Sequence, residues 1–126
     1  MTLRIVAGIV IISVALVLTG CGKKKHFAPG PAPISPSNLT ATPWEWNVIR
    51  LSWDDNSSNE DGFYVYRDTT GEYSKIARLV ANSTSFDDTS VNFSSGITYW
   101  YKVTAYNENG ESASSNEVSV LIPPGW

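Results

Sequence analysis

Sixteen residues, 97–112 (ITYWYKVTAYNENGES), constrain this chain more than any other stretch. Tyr99, Tyr101, Val103 and Ala105 share one parity, while Trp100, Lys102, Thr104 and Tyr106 share the other. A period of two is the pattern of a strand with one face buried, and Asn109-Gly110 supplies a turn behind it. From Pro36 onward turn residues recur at short, regular intervals, which predicts strands at 38–41, 47–54, 62–68, 75–80, 84–87, 97–107 and 116–121. Within the second, Ile49, Leu51 and Trp53 alternate with Val48, Arg50 and Ser52; within the third, Phe63, Val65 and Arg67 alternate with Tyr64, Tyr66 and Asp68. Seven short strands fit one all-β sandwich and leave no room for a second domain. The aromatic content, five Trp, six Tyr and four Phe, suits strands better than helices.

The N-terminal fifth is a different substance. Residues 1–20 carry one early charge, Arg4, then the apolar run 5–18, then small residues. That is the layout of a secretory signal, and the run is shorter than the roughly 20 residues a spanning helix needs. Leu18-Thr19-Gly20-Cys21 resembles a bacterial lipobox. The resemblance implies cleavage before Cys21 and acylation of its thiol and new N-terminus, hence a lipid-anchored protein of the cell envelope. Gly22 after the cysteine resembles lipoproteins sent to the outer membrane in a Gram-negative host. Each buried acyl CH₂ contributes about 0.8 kcal/mol, so several chains anchor stably. Residues 22–36 (GKKKHFAPGPAPISP) lack any apolar period and are broken by proline and glycine, which predicts an extended tether. At about 3.1 Å per residue it would reach roughly 45 Å. The Lys23–Lys25 run can sit against anionic headgroups or simply keep the tether solvated.

The domain from Ser35 onward holds five Lys/Arg and twelve Asp/Glu, a balance of −7. An acidic domain without a basic run argues against nucleic acid as a partner. With Cys21 as the only cysteine no internal disulfide can form, so packing alone must hold the fold.

Across residues 35–122 the chain resembles the fibronectin type III domain. Pro36-x-Asn38-Leu39 resembles that family's opening strand, and Leu51-x-Trp53 its second strand with the core tryptophan. Asn59-Glu60-x-Gly62-Phe63-x-Val65-x-Arg67 resembles its third strand in bacterial extracellular proteins. Phe93-x-x-Gly96-x-x-Tyr99 resembles the corner before its sixth strand, and Tyr99-x-Tyr101-x-Val103-x-Ala105-x-Asn107 that strand itself. The resemblance implies a seven-stranded immunoglobulin-like sandwich over 37–122, with a short tail at 123–126. It also implies structural roles for Trp53, in the core, and for Tyr99, whose hydroxyl bonds backbone a few residues upstream. Pro43-Trp44-Glu45-Trp46 departs from the family's pattern.

Nucleophilic catalysis needs a base within reach of its nucleophile. The only histidine, His26, lies on the tether and the only cysteine is assigned to lipid, so no catalytic residue is expected. The adjacent carboxylates Asp54/Asp55, Glu60/Asp61 and Asp87/Asp88 offer no cleft of the kind glycosidases need. No cofactor is expected. In this fold Asp54, Asp55, Glu60, Asp61, Glu108 and Glu111 would gather at one pole, but their spacing fits no calcium loop and no metal site is expected. Trp44, Trp46 and Trp126 would gather at the opposite pole. The expected binding surface is the outward parity of the third and sixth strands: Tyr64, Tyr66, Trp100 and Tyr106 with Lys102. Amphipathic aromatics bury large area at small rotamer cost, although cross-strand aromatic pairs also stabilise a sheet without binding anything. The partner expected there is another envelope protein or a glycan; the alternative is a purely structural spacer.

Overall fold

The computed structural model describes residues 30–89 and 92–126. The expected signal sequence, Cys21 and the first part of the tether lie outside the described residues. Among the described residues eight strands form: β1 (Ser37–Glu45), β2 (Val48–Asp54), β3 (Gly62–Asp68), β4 (Tyr73–Val80), β5 (Ser85–Asp88), β6 (Thr98–Asn107), β7 (Gly110–Glu111) and β8 (Val118–Leu121). β1, β2 and β5 make a three-stranded sheet. The second sheet runs β4-β3-β6-β7, with β8 also paired to β6, and every pairing is antiparallel.

The core is the inward parity of these strands. Ile49 and Leu51 from one sheet meet Phe63, Val65, Tyr101, Val103 and Ala105 from the other, all fully buried. Trp53 packs at 5.7 Å from Phe63, also inside. A carboxylate shares this interior. Asp88 is 0% exposed and accepts from Arg67 Nη1 at 2.7 Å and from the Tyr101 hydroxyl at 2.8 Å, tying the smaller sheet to the larger.

The strand boundaries differ from the sequence expectation where side chains replace backbone. The last strand starts at Val118, because Asn116 uses its side chain instead: Oδ1 accepts from Leu39 N–H at 2.9 Å and Nδ2 donates to Leu39 O at 3.0 Å. Ser115 and Ser112 do likewise where the chain leaves β6, their hydroxyls accepting from the N–H groups of Val103 and Ala105. The first strand continues four residues past Ala41, through Pro43. Proline is tolerated there because β1 lies at a sheet edge. β7 is an addition. An Asn107 side chain that accepts from Asn109 N–H shapes the hairpin, and the chain folds back on β6 for two residues.

Two terminal assignments are corrected. Residues 31–36 were expected to belong to the tether, but they pack on the domain. Asn59 and Asn107 each donate to Pro31 O at 3.2 Å, Ile34 N–H donates to Ser57 Oγ at 3.1 Å, and Asn56 donates to Ser35 O at 3.0 Å. Pro33 and Pro36 are buried. Proline-rich composition sets local stiffness, not whether a surface is waiting to receive the segment. The expected tail also folds in: Trp126 packs 6.4 Å from Phe93 and against the core.

Candidate functional site

β3 and β6 lie side by side in a register that sets Tyr66 opposite Lys102, Tyr64 opposite Thr104 and Gly62 opposite Tyr106. β4 extends this outer face, with Lys75 opposite Tyr66 and Arg78 opposite Tyr64. The pairing slips between Val65 and Tyr66, where β4 carries one residue more than β3. That bulge moves the outward parity of β4 from odd numbers to even. Lys75 and Arg78 therefore share a face that strict alternation would separate.

On this face the tyrosines are held rather than loose. Tyr64 and Tyr106 stack at 4.3 Å with planes 17° apart. Lys75 Nζ lies 3.4 Å from the Tyr64 ring centre, Lys102 Nζ 4.3 Å from Tyr73, and the Arg78 guanidinium 5.1 Å from Tyr106. Arg78 Nε also donates to the Tyr106 hydroxyl at 2.8 Å. Tyr66 sits between the two lysines, 5.9 and 5.8 Å from Lys75 and Lys102. Its hydroxyl donates to Glu111, which also accepts from Thr104 Oγ1 at 2.6 Å. An open cleft of about 360 Å³ lies between Tyr66, Tyr73, Lys102 and the 111–114 segment.

Of the five residues expected to form a binding surface, four meet here: Tyr64, Tyr66, Tyr106 and Lys102. Trp100 is 42% exposed on the same side of the sheet, but its cross-strand neighbours are Asp68 and Ser119, and it has no ring or cation contact with the tyrosines. Thr104, of the same parity, is buried at 4% because Glu111 folds over it. Sequence reading missed Tyr73, Lys75 and Arg78, and it placed Glu111 at the acidic pole. The two-residue β7 hairpin carries Glu111 onto the tyrosine face instead.

The remaining acidic residues are occupied locally. Asp54 accepts from Asn38 Nδ2 at 2.7 Å, Asp55 from Ser57 N–H at 3.0 Å, and Glu60 is buried and accepts from Asn82 N–H at 3.0 Å. Burial raises the Asp55 carboxyl, and the neighbouring Glu60 adds to the rise. Among the described residues no three potential ligands gather as a metal site. Asp87 and Asp88 are no carboxylate pair, since successive strand residues face opposite ways. Asp87 points outward to a bidentate pair with Arg50, and Asp88 points inward. At the opposite pole Trp46, 67% exposed, lies 6.4 Å from Trp126, while Trp44 is covered on one side by Arg50 at 4.1 Å. Tyr99 forms its corner, accepting from Ser94 N–H at 3.3 Å.

Charge on the tyrosine face depends on pH in two directions. Burial tends to raise the Glu111 carboxyl, but hydrogen bonds from Thr104 and Tyr66, with Lys75 and Lys102 nearby, hold it below the usual range. Burial pushes the Tyr66 hydroxyl up to about 12, reinforced by its bond to Glu111. Burial does the same to Tyr73, to about 12, with Glu117 adding to it. A pKa raised in the folded state gives stability that is complete below the unfolded value near 10 and is lost as pH rises through about 12. Urea midpoints are therefore expected to be level up to pH 9.5 and to fall steadily from pH 10 to 12. Tyr66→Phe with Tyr73→Phe should flatten part of that fall and leave the share of Tyr101, raised by burial and by Asp88. A midpoint that is flat to pH 12 would contradict this.

Gly62 is where this face is least tolerant. A Cβ there would lie 2.0 Å from Leu79 O and 2.7 Å from the Tyr106 hydroxyl, so both the β3–β4 ladder and the Tyr64–Tyr106 stack would have to move. Gly62→Ala is expected to cost about 1–3 kcal/mol. The same substitution should change the near-ultraviolet tyrosine signal; an unaltered signal and melting temperature would show that the ladder yields freely.

Two sheets of antiparallel strands around a shared core, closed by a tyrosine corner, define an immunoglobulin-like module. The profile of the fibronectin type III domain matches residues 34–121, and the chain belongs to that family. An Fn3-like protein from Clostridium thermocellum is 30% identical, covers 74% of this chain and 96% of its own, and superposes with a TM-score of 0.60. A pectate lyase from Erwinia chrysanthemi, solved with tetragalacturonic acid, is 30% identical over 65% of this chain and 27% of its own, with a TM-score of 0.56. An amylopullulanase of Thermoanaerobacterium saccharolyticum is 36% identical over an alignment of 100 residues that covers 75% of this chain but 7% of that enzyme.

Proposed function

We propose that this chain is a lipid-anchored envelope protein that displays one fibronectin type III domain as a non-catalytic binding or adhesion module, with a protein partner docking on the tyrosine face of the larger sheet. The observation that carries this reading is the fixed array of Tyr64, Tyr66, Tyr73 and Tyr106 under Lys75, Arg78 and Lys102. Side chains already held in place lose little freedom on binding, so more of the contact energy appears as affinity. The matched segments in the amylopullulanase and the pectate lyase are small parts of larger enzymes, which supports a module that accompanies chemistry rather than performing it.

In this reading Cys21 is the anchor, and the domain begins with the seated residues 31–36. Pro31 lies at the pole of the 54–61 and 107–111 loops, and Trp46 and Trp126 lie together at the other. A glycan-binding module is the second reading, favoured by the sugar acid bound to the pectate lyase. It is weakened by the cations that occupy ring faces a sugar would need.

Mass spectrometry of the protein from its own cells is expected to find acyl chains on Cys21; an unmodified Cys21 behind an intact Met1 overturns the anchor. Photo-crosslinking groups placed at Trp100 and Tyr106 of the anchored protein should capture an envelope protein that the Trp46 position does not. Equal capture from all three positions, or none, overturns the docking face.

A further inference from the structure

Resting on that docking face, we infer that the partner meets it with an acidic protein segment laid across Lys75, Tyr66 and Lys102. Past Ser35 the chain has only five cationic side chains, Arg50, Arg67, Lys75, Arg78 and Lys102, in a domain whose balance is −7. Arg50 and Arg67 are consumed by Asp87 and Asp88. The other three form no salt bridge with any described residue, and all three stand on one face of one sheet. Glu111 is the carboxylate bonded to Tyr66 and Thr104 within the array, with Asp61 near Arg78 and with Glu117 and Asp68 near Tyr73 at its rim. An acidic domain that gathers on one face its three cations without a salt bridge places there ammonium and guanidinium groups that a partner's carboxylates can pair with. At physiological salt the screening length is about 8 Å, so a partner in contact responds to the array and little to the acidic pole.

The geometry selects the kind of acid. Lys75 and Lys102 lie on strands flanking β3, about 10 Å apart at the backbone, and carboxylates three residues apart on a polyproline-II segment, which has three residues per turn, share one face and span about 9 Å. The ring faces of Tyr64, Tyr73 and Tyr106 carry cations, so what the face offers outward is ammonium and guanidinium groups with tyrosine hydroxyls between them. That pattern pairs with flexible side-chain carboxylates rather than with a sugar ring seeking a flat aromatic surface.

The test uses the full-length protein in detergent, titrated with poly-L-glutamate and separately with polygalacturonate, followed by tryptophan fluorescence and calorimetry. Poly-L-glutamate is expected to bind and to weaken at least tenfold in the Lys75→Gln/Lys102→Gln variant, with a melting curve confirming that the variant is folded. The Lys23–Lys25 run is present in both proteins and cancels in the comparison. Poly-L-glutamate binding that is unchanged by the double variant overturns the inference, as does binding of polygalacturonate alone or of neither polymer. If the double variant is unfolded, Lys75→Gln and Lys102→Gln are compared singly, each expected to weaken binding about threefold. These outcomes leave the docking face standing or falling on its own crosslinking result, because capture of a partner that is indifferent to both lysines would refute the acidic segment alone.

Discussion

Asp88→Ala is expected to cost about 3–5 kcal/mol, enough to leave much of the domain unfolded at 37 °C. The carboxylate is fully buried between the sheets, where it faces Arg67 at 2.7 Å and the Tyr101 hydroxyl at 2.8 Å. Removing it takes away the counter-ion of a guanidinium only 14% exposed and the acceptor of a buried hydroxyl at once. The cost lies mainly in what is left behind, not in the strength of the pair. The double change Arg67→Met/Asp88→Leu should therefore be milder than Asp88→Ala alone, since no charge is stranded. Tyr101→Phe should lose only about 0.5–1.5 kcal/mol, the share of one hydrogen bond. Urea denaturation of the four proteins decides the matter. An Asp88→Ala variant within 1 kcal/mol of the parent would mean that Asp88 is not the link between the sheets.

Trp53→Ala is expected to cost a similar 3–5 kcal/mol, for the opposite physical reason. Here the interior loses volume, and Phe63 at 5.7 Å loses the surface it packs on. The indole is held for its bulk: Nε1 is buried without a hydrogen-bond partner among the described residues. An unpaired buried donor costs about 1–3 kcal/mol, so Trp53→Phe sheds that penalty while giving up only part of the volume. It should fall well short of the alanine variant in calorimetry. Equal losses for phenylalanine and alanine would show that the indole nitrogen is held after all.

How much of this could be read beforehand depends on range. Period-two alternation in β2, β3 and β6 was legible because each of those strands buries one face: Ile49, Leu51, Phe63, Val65, Tyr101 and Val103 all lie where parity put them. Tyr64, Tyr66, Tyr106 and Lys102 were legible for the same reason. Arg78 was not, because one extra residue at Ile76 reverses the parity of β4, and a bulge leaves no mark in composition. Glu111 was misplaced because a two-residue hairpin decides which side of the sheet it reaches. Asp88 looked like half of an adjacent acidic pair. Its role depends on Arg67 and Tyr101, 21 and 13 residues away, which no local pattern connects.

The seating of residues 31–36 also has a mechanical meaning. Any pull arriving along the chain from upstream of Gly30 meets the Asn59, Asn107, Ser57 and Asn56 contacts before it reaches β1. These are separate, exposed bonds of about 0.5–1.5 kcal/mol each, so they give way one after another rather than together. Their release frees six residues, whose contour of roughly 20 Å less the distance they already span is taken up before load falls on the β1–β2 ladder. The entry to the sandwich can thus peel away from the loops that seat it while the core stays folded.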